Sequence, residues 1–121
     1  MSVKFELLLI FFTFEAQKKN KFMGLFRTQV RRLRESRNTS QREVGAFIQA
    51  NTAFVCLMEK GDRQASKEQV LKLAEMFQMD PDKLLTLWLA ERITLILQGE
   101  SNGKKALRLA EKELFKNTEN E

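Results

Sequence analysis

At 121 residues the chain has room for one modest hydrophobic core but not for two. It contains no histidine and one cysteine, which excludes a disulfide, a zinc cluster and the Cys-His or Ser-His pairs of nucleophilic hydrolases; the five scattered glycines spell no phosphate loop. Net charge is +5, a balance that favours a polyanionic partner.

Residues 1–22, MSVKFELLLIFFTFEAQKKNKF, hold five of the ten phenylalanines. The apolar run Leu7 to Phe12 is far shorter than the roughly 20 residues that span a bilayer. No small-x-small cleavage site follows it, so neither a membrane helix nor a secretory leader is expected. Two readings stay open for this segment. It is upstream or disordered sequence with Met23 as the functional start, or it is an N-terminal helix or strand that packs on the domain.

From Met23 the pattern changes. Phe26, Val30 and Leu33 recur at i, i+4 and i+7 among five arginines, which predicts an amphipathic helix over 25–37 with a basic outer face. SQRE at 40–43 spells a capping box, so a second helix is expected from Gln41 to about Ile48. Asn51 is a good N-cap for a third helix running to Lys60, which Gly61 would close. SKEQ at 66–69 repeats the capping box, and Val70, Leu73, Ala74 and Phe77 form the apolar stripe of a fourth helix. Asp80-Pro81 opens a fifth that continues through LLTLWLAERITLILQ to Gly99. A sixth is expected over 104–116 with Leu107, Ala110 and Leu114 on one side, followed by a fraying tail at 117–121. The prediction is an all-α chain.

The basic charge is concentrated. Residues 23–64 carry eight basic and four acidic side chains, whereas 65–121 carry nine and ten. Val44, Ile48, Ala50, Val55 and Met58 fall where a helix-turn-helix buries its side chains, and Gly45 falls where its helices cross closely. The order and spacing over 24–88 resemble the helix-turn-helix of lambda-repressor and Cro-like regulators. The correspondence runs through Leu33-Arg34-Glu35, Ser40-Gln41, Met58-Glu59-Lys60-Gly61 and LKLAEMFQMDPDKLL at 71–85. GDRQASKEQVLKLAEMF followed by a long LLTLWLAERI helix is similar, more narrowly, to the controller proteins of restriction-modification systems.

That resemblance implies a five-helix DNA-binding domain over 23–88, with its third helix in the major groove, and a helical extension over 89–116 for dimerisation. It implies a homodimer on an inverted repeat of double-stranded DNA, acting as a repressor or other autoregulatory regulator in the cytoplasm, with no enzyme activity, cofactor, metal, membrane or small-molecule substrate. Carried onto this chain, Asn51, Thr52, Ala53, Cys56 and Leu57 would read bases, with Lys60 beside them. Arg27, Gln41, Arg42, Lys60 and Arg63 would contact phosphates, Gln41 together with the amides that open the second helix. The chain departs from the family pattern at Gln49, where many relatives turn on glycine, and at the apolar pair Cys56 and Leu57. The fifth helix is apolar almost all round, so Trp88, Leu89, Ile93 and Ile96 are expected at a dimer interface. A protein-interaction module that keeps the fold, such as an antitoxin or accessory subunit, is the alternative.

Overall fold

The computed structural model of the protein describes residues 24–119. Among them are six helices and no strand: α1 (Leu25–Ser36), α2 (Gln41–Ile48), α3 (Thr52–Lys60), α4 (Lys67–Met76), α5 (Pro81–Leu97) and α6 (Gly103–Glu119). Residues 1–22, on which the two readings of the N-terminal segment turn, lie outside the described residues.

Local chemistry sets the helix starts. Ser40 Oγ accepts from the Glu43 amide at 3.0 Å while Glu43 accepts from the Ser40 amide at 3.1 Å, and Ser66 with Gln69 forms the second reciprocal pair. Asn51 and Asp80 cap α3 and α5 with their side-chain oxygens. Each such cap is worth about 1 kcal/mol.

Helix α1 has no side-chain cap of its own, because Gly24 precedes it. The acceptor comes instead from α5: Glu91 Oε1 receives the amides of Phe26 at 3.1 Å and Arg27 at 3.2 Å. A buried carboxylate thereby satisfies orphan donors of a helix 64 and 65 residues away in the chain. Gly24 makes this approach possible, since a Cβ there would sit 1.7 Å from Glu91 Oε1.

Helix α1 packs on α3 and α5, α2 on α3 and α4, and α4 on α5. The core they enclose contains Phe26, Val30, Val44, Ile48, Val55, Met58, Val70, Leu73, Phe77 and Leu84, each 2 % exposed or less. Burying one such side chain stabilises by roughly 1.5–3 kcal/mol. Leu33 and Ala50 pack partly buried against it. At the C-terminal ends of α1 and α4, Arg37 donates to the Phe77 carbonyl and lies 5.6 Å from the centre of its ring.

Helix α5 is continuous from Pro81 to Leu97, as its sequence predicts. Helix α6 runs to Glu119, three residues beyond the expected 116, because nothing in Asn117-Thr118 breaks a helix. It joins none of the packed pairs above, and its side chains from Lys104 to Lys116 are all exposed. No helix among the described residues is long and apolar enough to cross a membrane.

Candidate nucleic-acid interface

The α2–α3 pair is joined by Gln49, Ala50 and Asn51. The Ala50 amide donates to the Gly45 carbonyl at 2.8 Å, folding the chain back over α2. Gln49 adopts the left-handed conformation, with φ 60° and ψ 47°. A side chain there costs on the order of 1 kcal/mol that glycine avoids. Gln49→Gly is therefore expected to raise the unfolding free energy by about 0.5–1 kcal/mol, after the extra entropy glycine gives the unfolded chain is discounted. Denaturant unfolding of the two proteins measures it; no gain would mean that the Gln49 side chain makes a compensating contact.

Helix α3 turns Val55 and Met58 into the core and presents Thr52, Ala53, Leu57 and Lys60 to solvent. Asn51 is exposed and its Oδ1 is committed to the Phe54 amide at 2.7 Å, which leaves its NH2 as the group able to donate outward. Cys56 is half-buried, a free thiol less accessible than Ala53 and Leu57. The face borders an open concavity of about 430 Å³ lined by Ala53, Phe54, Leu57 and Arg63. Arg63 is itself exposed, with its guanidinium 5.8 Å from the centre of the Phe54 ring.

Orientation of α3 is set by an ion pair that sequence reasoning did not single out. Arg34 Nε donates to Glu59 Oε2 at 2.7 Å and Arg34 Nη2 to Glu59 Oε1 at 3.0 Å, a two-pronged contact between α1 and α3. Gln41 Nε2 adds a third bond to Glu59 Oε1 at 3.1 Å, bringing in α2. Hydrogen bonding to Glu59, opposed by partial burial, raises the Arg34 pKa above that of a free guanidinium. A raised folded-state value means that the stabilisation is fully present below the unfolded value and is lost only as pH climbs beyond it, so the cation does not titrate in the working range. On the outer face of α1, the hydrogen bond from Arg31 holds the Glu35 carboxyl below its usual range; this exposed contact weakens as pH falls through that lowered value.

Sites expected from sequence separate accordingly. Arg42, Lys60 and Arg63 are exposed around the pair and can reach a polyanion. Gln41 is half-buried with its amide turned to Glu59, so it can offer an anion its backbone N–H at the start of α2 rather than its side chain. Arg27 is a correction: it is 7 % exposed, its Nη1 donates to the Lys60 carbonyl at 3.3 Å, and it cannot reach a phosphate. Its guanidinium occupies the space beside Gly61, where φ is +92° and a Cβ would fall 1.1 Å from Nη1.

Trp88 is a second correction. It is 8 % exposed, its Nε1 donates to the Ala65 carbonyl at 3.0 Å, and Arg92 lies 4.7 Å from the centre of the ring, so it belongs to the core and not to an outer surface. Leu89, Ile93 and Ile96 do lie on the exposed side of α5. Among the described residues no group of His, Cys, Asp or Glu side chains is arranged to hold a metal ion. No family model, curated protein or solved structure matches the chain.

Proposed function

We propose that the protein is a sequence-specific, homodimeric DNA-binding transcription regulator of lambda-repressor/Cro-like architecture, with α1–α5 as its DNA-binding domain and α3 as its reading helix. It acts in the cytoplasm without enzymatic activity, controlling its own operon or that of a restriction-modification system. The observation that carries this reading is the outward face of α3, with Asn51, Thr52, Ala53 and Leu57 exposed, together with the exposed cations Arg42 on α2, Lys60 on α3 and Arg63 just beyond it. Phosphate contacts from such cations supply much of the affinity, while base edges and thymine methyls supply discrimination.

Selection from random-sequence DNA, followed by fluorescence anisotropy on the enriched site, tests it. The enriched site is expected to be an inverted repeat with half-sites about 34 Å apart, bound with an affinity that falls steeply with salt. Arg42→Ala should weaken specific and random DNA alike and reduce the salt slope by about one. Leu57→Ala should cost about 1 kcal/mol on the selected site and little on random DNA, the loss centring on a thymine and shrinking when uracil replaces it. Equal losses on both DNAs would remove Leu57 from base reading.

A second reading, a protein-interaction module, is favoured by the exposed Phe47 and Leu57, 41 % and 37 % accessible, and by the concavity beside Phe54. Absence of DNA binding even at low salt would select it.

A further inference from the structure

Helix α6 joins none of the packed helix pairs, and its side chains from Lys104 to Lys116 are exposed. Its cations are ordered along it. Lys104, Arg108, Lys112 and Lys116 recur at every fourth residue with Lys105 beside them, so all five fall within about a third of the helix circumference. The opposite side is apolar: Leu107, Ala110 and Leu114 line a groove of about 590 Å³ with Ile93, Ile96 and Leu97 of α5. None of the five cations lines that groove, and Lys104, at the elbow, borders a smaller cavity between the same two helices.

A solvated helix face ordinarily interleaves opposite charges at i, i+4. Here three successive i, i+4 pairs set cation on cation, and each such pair opposes the helix. Lys104 and Lys105 also stand in a first turn that holds no acid, where the helix dipole is already positive. The acids of α6 do not offset this. Glu111, three residues after Arg108, lines the apolar groove; Glu113 lies three residues before Lys116, and Glu119 is the last residue of the helix. Among the described residues none of the five cations is in an ion pair. With no compensation inside the chain, the gain from this ridge lies outside it.

A polyanion supplies that gain, because it turns every repulsion along the ridge into an attraction. Cations at every fourth residue stand about 6 Å apart along the axis, a line of charge suited to duplex DNA, which carries a negative charge about every 1.7 Å. Four of the five are lysines, compact charges without the fork of arginine, which suits contact that is blind to sequence. An anionic lipid surface fits less well, since an interfacial helix lays its apolar face into the lipid and here that face is turned to α5.

We propose that the Lys104–Lys116 ridge of α6 is a second phosphate-backbone contact for duplex DNA, separate from the α2–α3 pair, which adds affinity without discrimination. It rests on the reading of the chain as a DNA-binding protein.

Fluorescence anisotropy of the full chain on a random-sequence duplex and on the selected site, each over a salt series, tests it. Replacing Lys104, Arg108, Lys112 and Lys116 together by glutamine is expected to weaken both DNAs more than about tenfold and to reduce the salt slope by about three to four, leaving the ratio between the two DNAs unchanged. Helix content by circular dichroism should not fall, because the substitutions relieve like-charge repulsion. Replacing the three lysines by arginine instead should preserve both affinity and slope. An unchanged slope in the glutamine variant would overturn the proposal, as would a loss confined to the selected site. So would binding to phosphatidylserine vesicles that the glutamine variant loses while its DNA slope stays native, which would assign the ridge to lipid. The two readings fail separately. A chain that holds random DNA through the ridge but prefers no site sinks the regulator reading alone, and one that binds its selected site with the same slope in both proteins sinks this one alone.

Discussion

Arg34→Ala is expected to lower the unfolding free energy by about 4 kcal/mol and Glu59→Ala by about 3 kcal/mol, out of a total that for a domain of this size is roughly 5–15 kcal/mol. The inequality follows from burial. The Glu59 side chain is 4 % exposed and that of Arg34 15 %, so deleting the arginine strands a carboxylate with almost no water, whereas deleting the carboxylate leaves a guanidinium that still reaches solvent. Arg34 also donates to the Thr39 carbonyl at 3.2 Å, pinning the loop between α1 and α2. The double mutant should lose less than the sum of the two, since removing both partners strands neither charge. Urea unfolding at neutral pH measures all three proteins. Single losses below 1 kcal/mol would show that the pair is exchanged with water and does not hold α3. Because Glu59 is bonded to both Arg34 and Gln41, its loss should also loosen α3 against α1 and α2.

Gly45→Val is expected to cost about 3 kcal/mol. A Cβ at this position would stand 2.6 Å from the carbonyl oxygen of Ala50 and 3.4 Å from the backbone of Asn51. At Gly24 and Gly61 the colliding atoms belong to side chains, but here they are the backbone of the turn that aims α3, and they cannot swing aside. Gly45→Ala is expected to lose about 1–2 kcal/mol, less than valine, because alanine recovers about 1 kcal/mol of helix propensity against the same collision. Thermal unfolding ranks the series glycine, alanine, valine. If valine melted with the native protein, α2 and α3 would have to cross further apart than the 2.6 Å approach implies. Displacing the turn also moves Asn51 and Thr52, so under the proposed function both variants should bind DNA more weakly than their residual stability alone dictates.

Much of the helical order was legible in the chain because its signals are local. A capping box needs four residues, an apolar stripe needs two turns, and Gly61 closes α3 within its own turn; those features placed the starts of α2 to α5 and most of the core from Phe26 to Phe77. The close approach at Gly45 was legible only through the resemblance to a helix-turn-helix, which places a small residue where its two helices cross. The tertiary structure alone decided what depends on partners distant in sequence. Glu91, an acid midway along a largely apolar helix, became the cap of α1 only when α5 was laid across it. Arg27, indistinguishable by charge from Arg42, was drawn inside by the Lys60 carbonyl and the space beside Gly61, while Arg42 stayed outside. Trp88 was claimed by the Ala65 carbonyl and left Leu89, Ile93 and Ile96 to face outward. Hydropathy and charge state what a residue must have around it, a carbonyl, a carboxylate or another apolar surface, but which group supplies it is settled only when the helices pack.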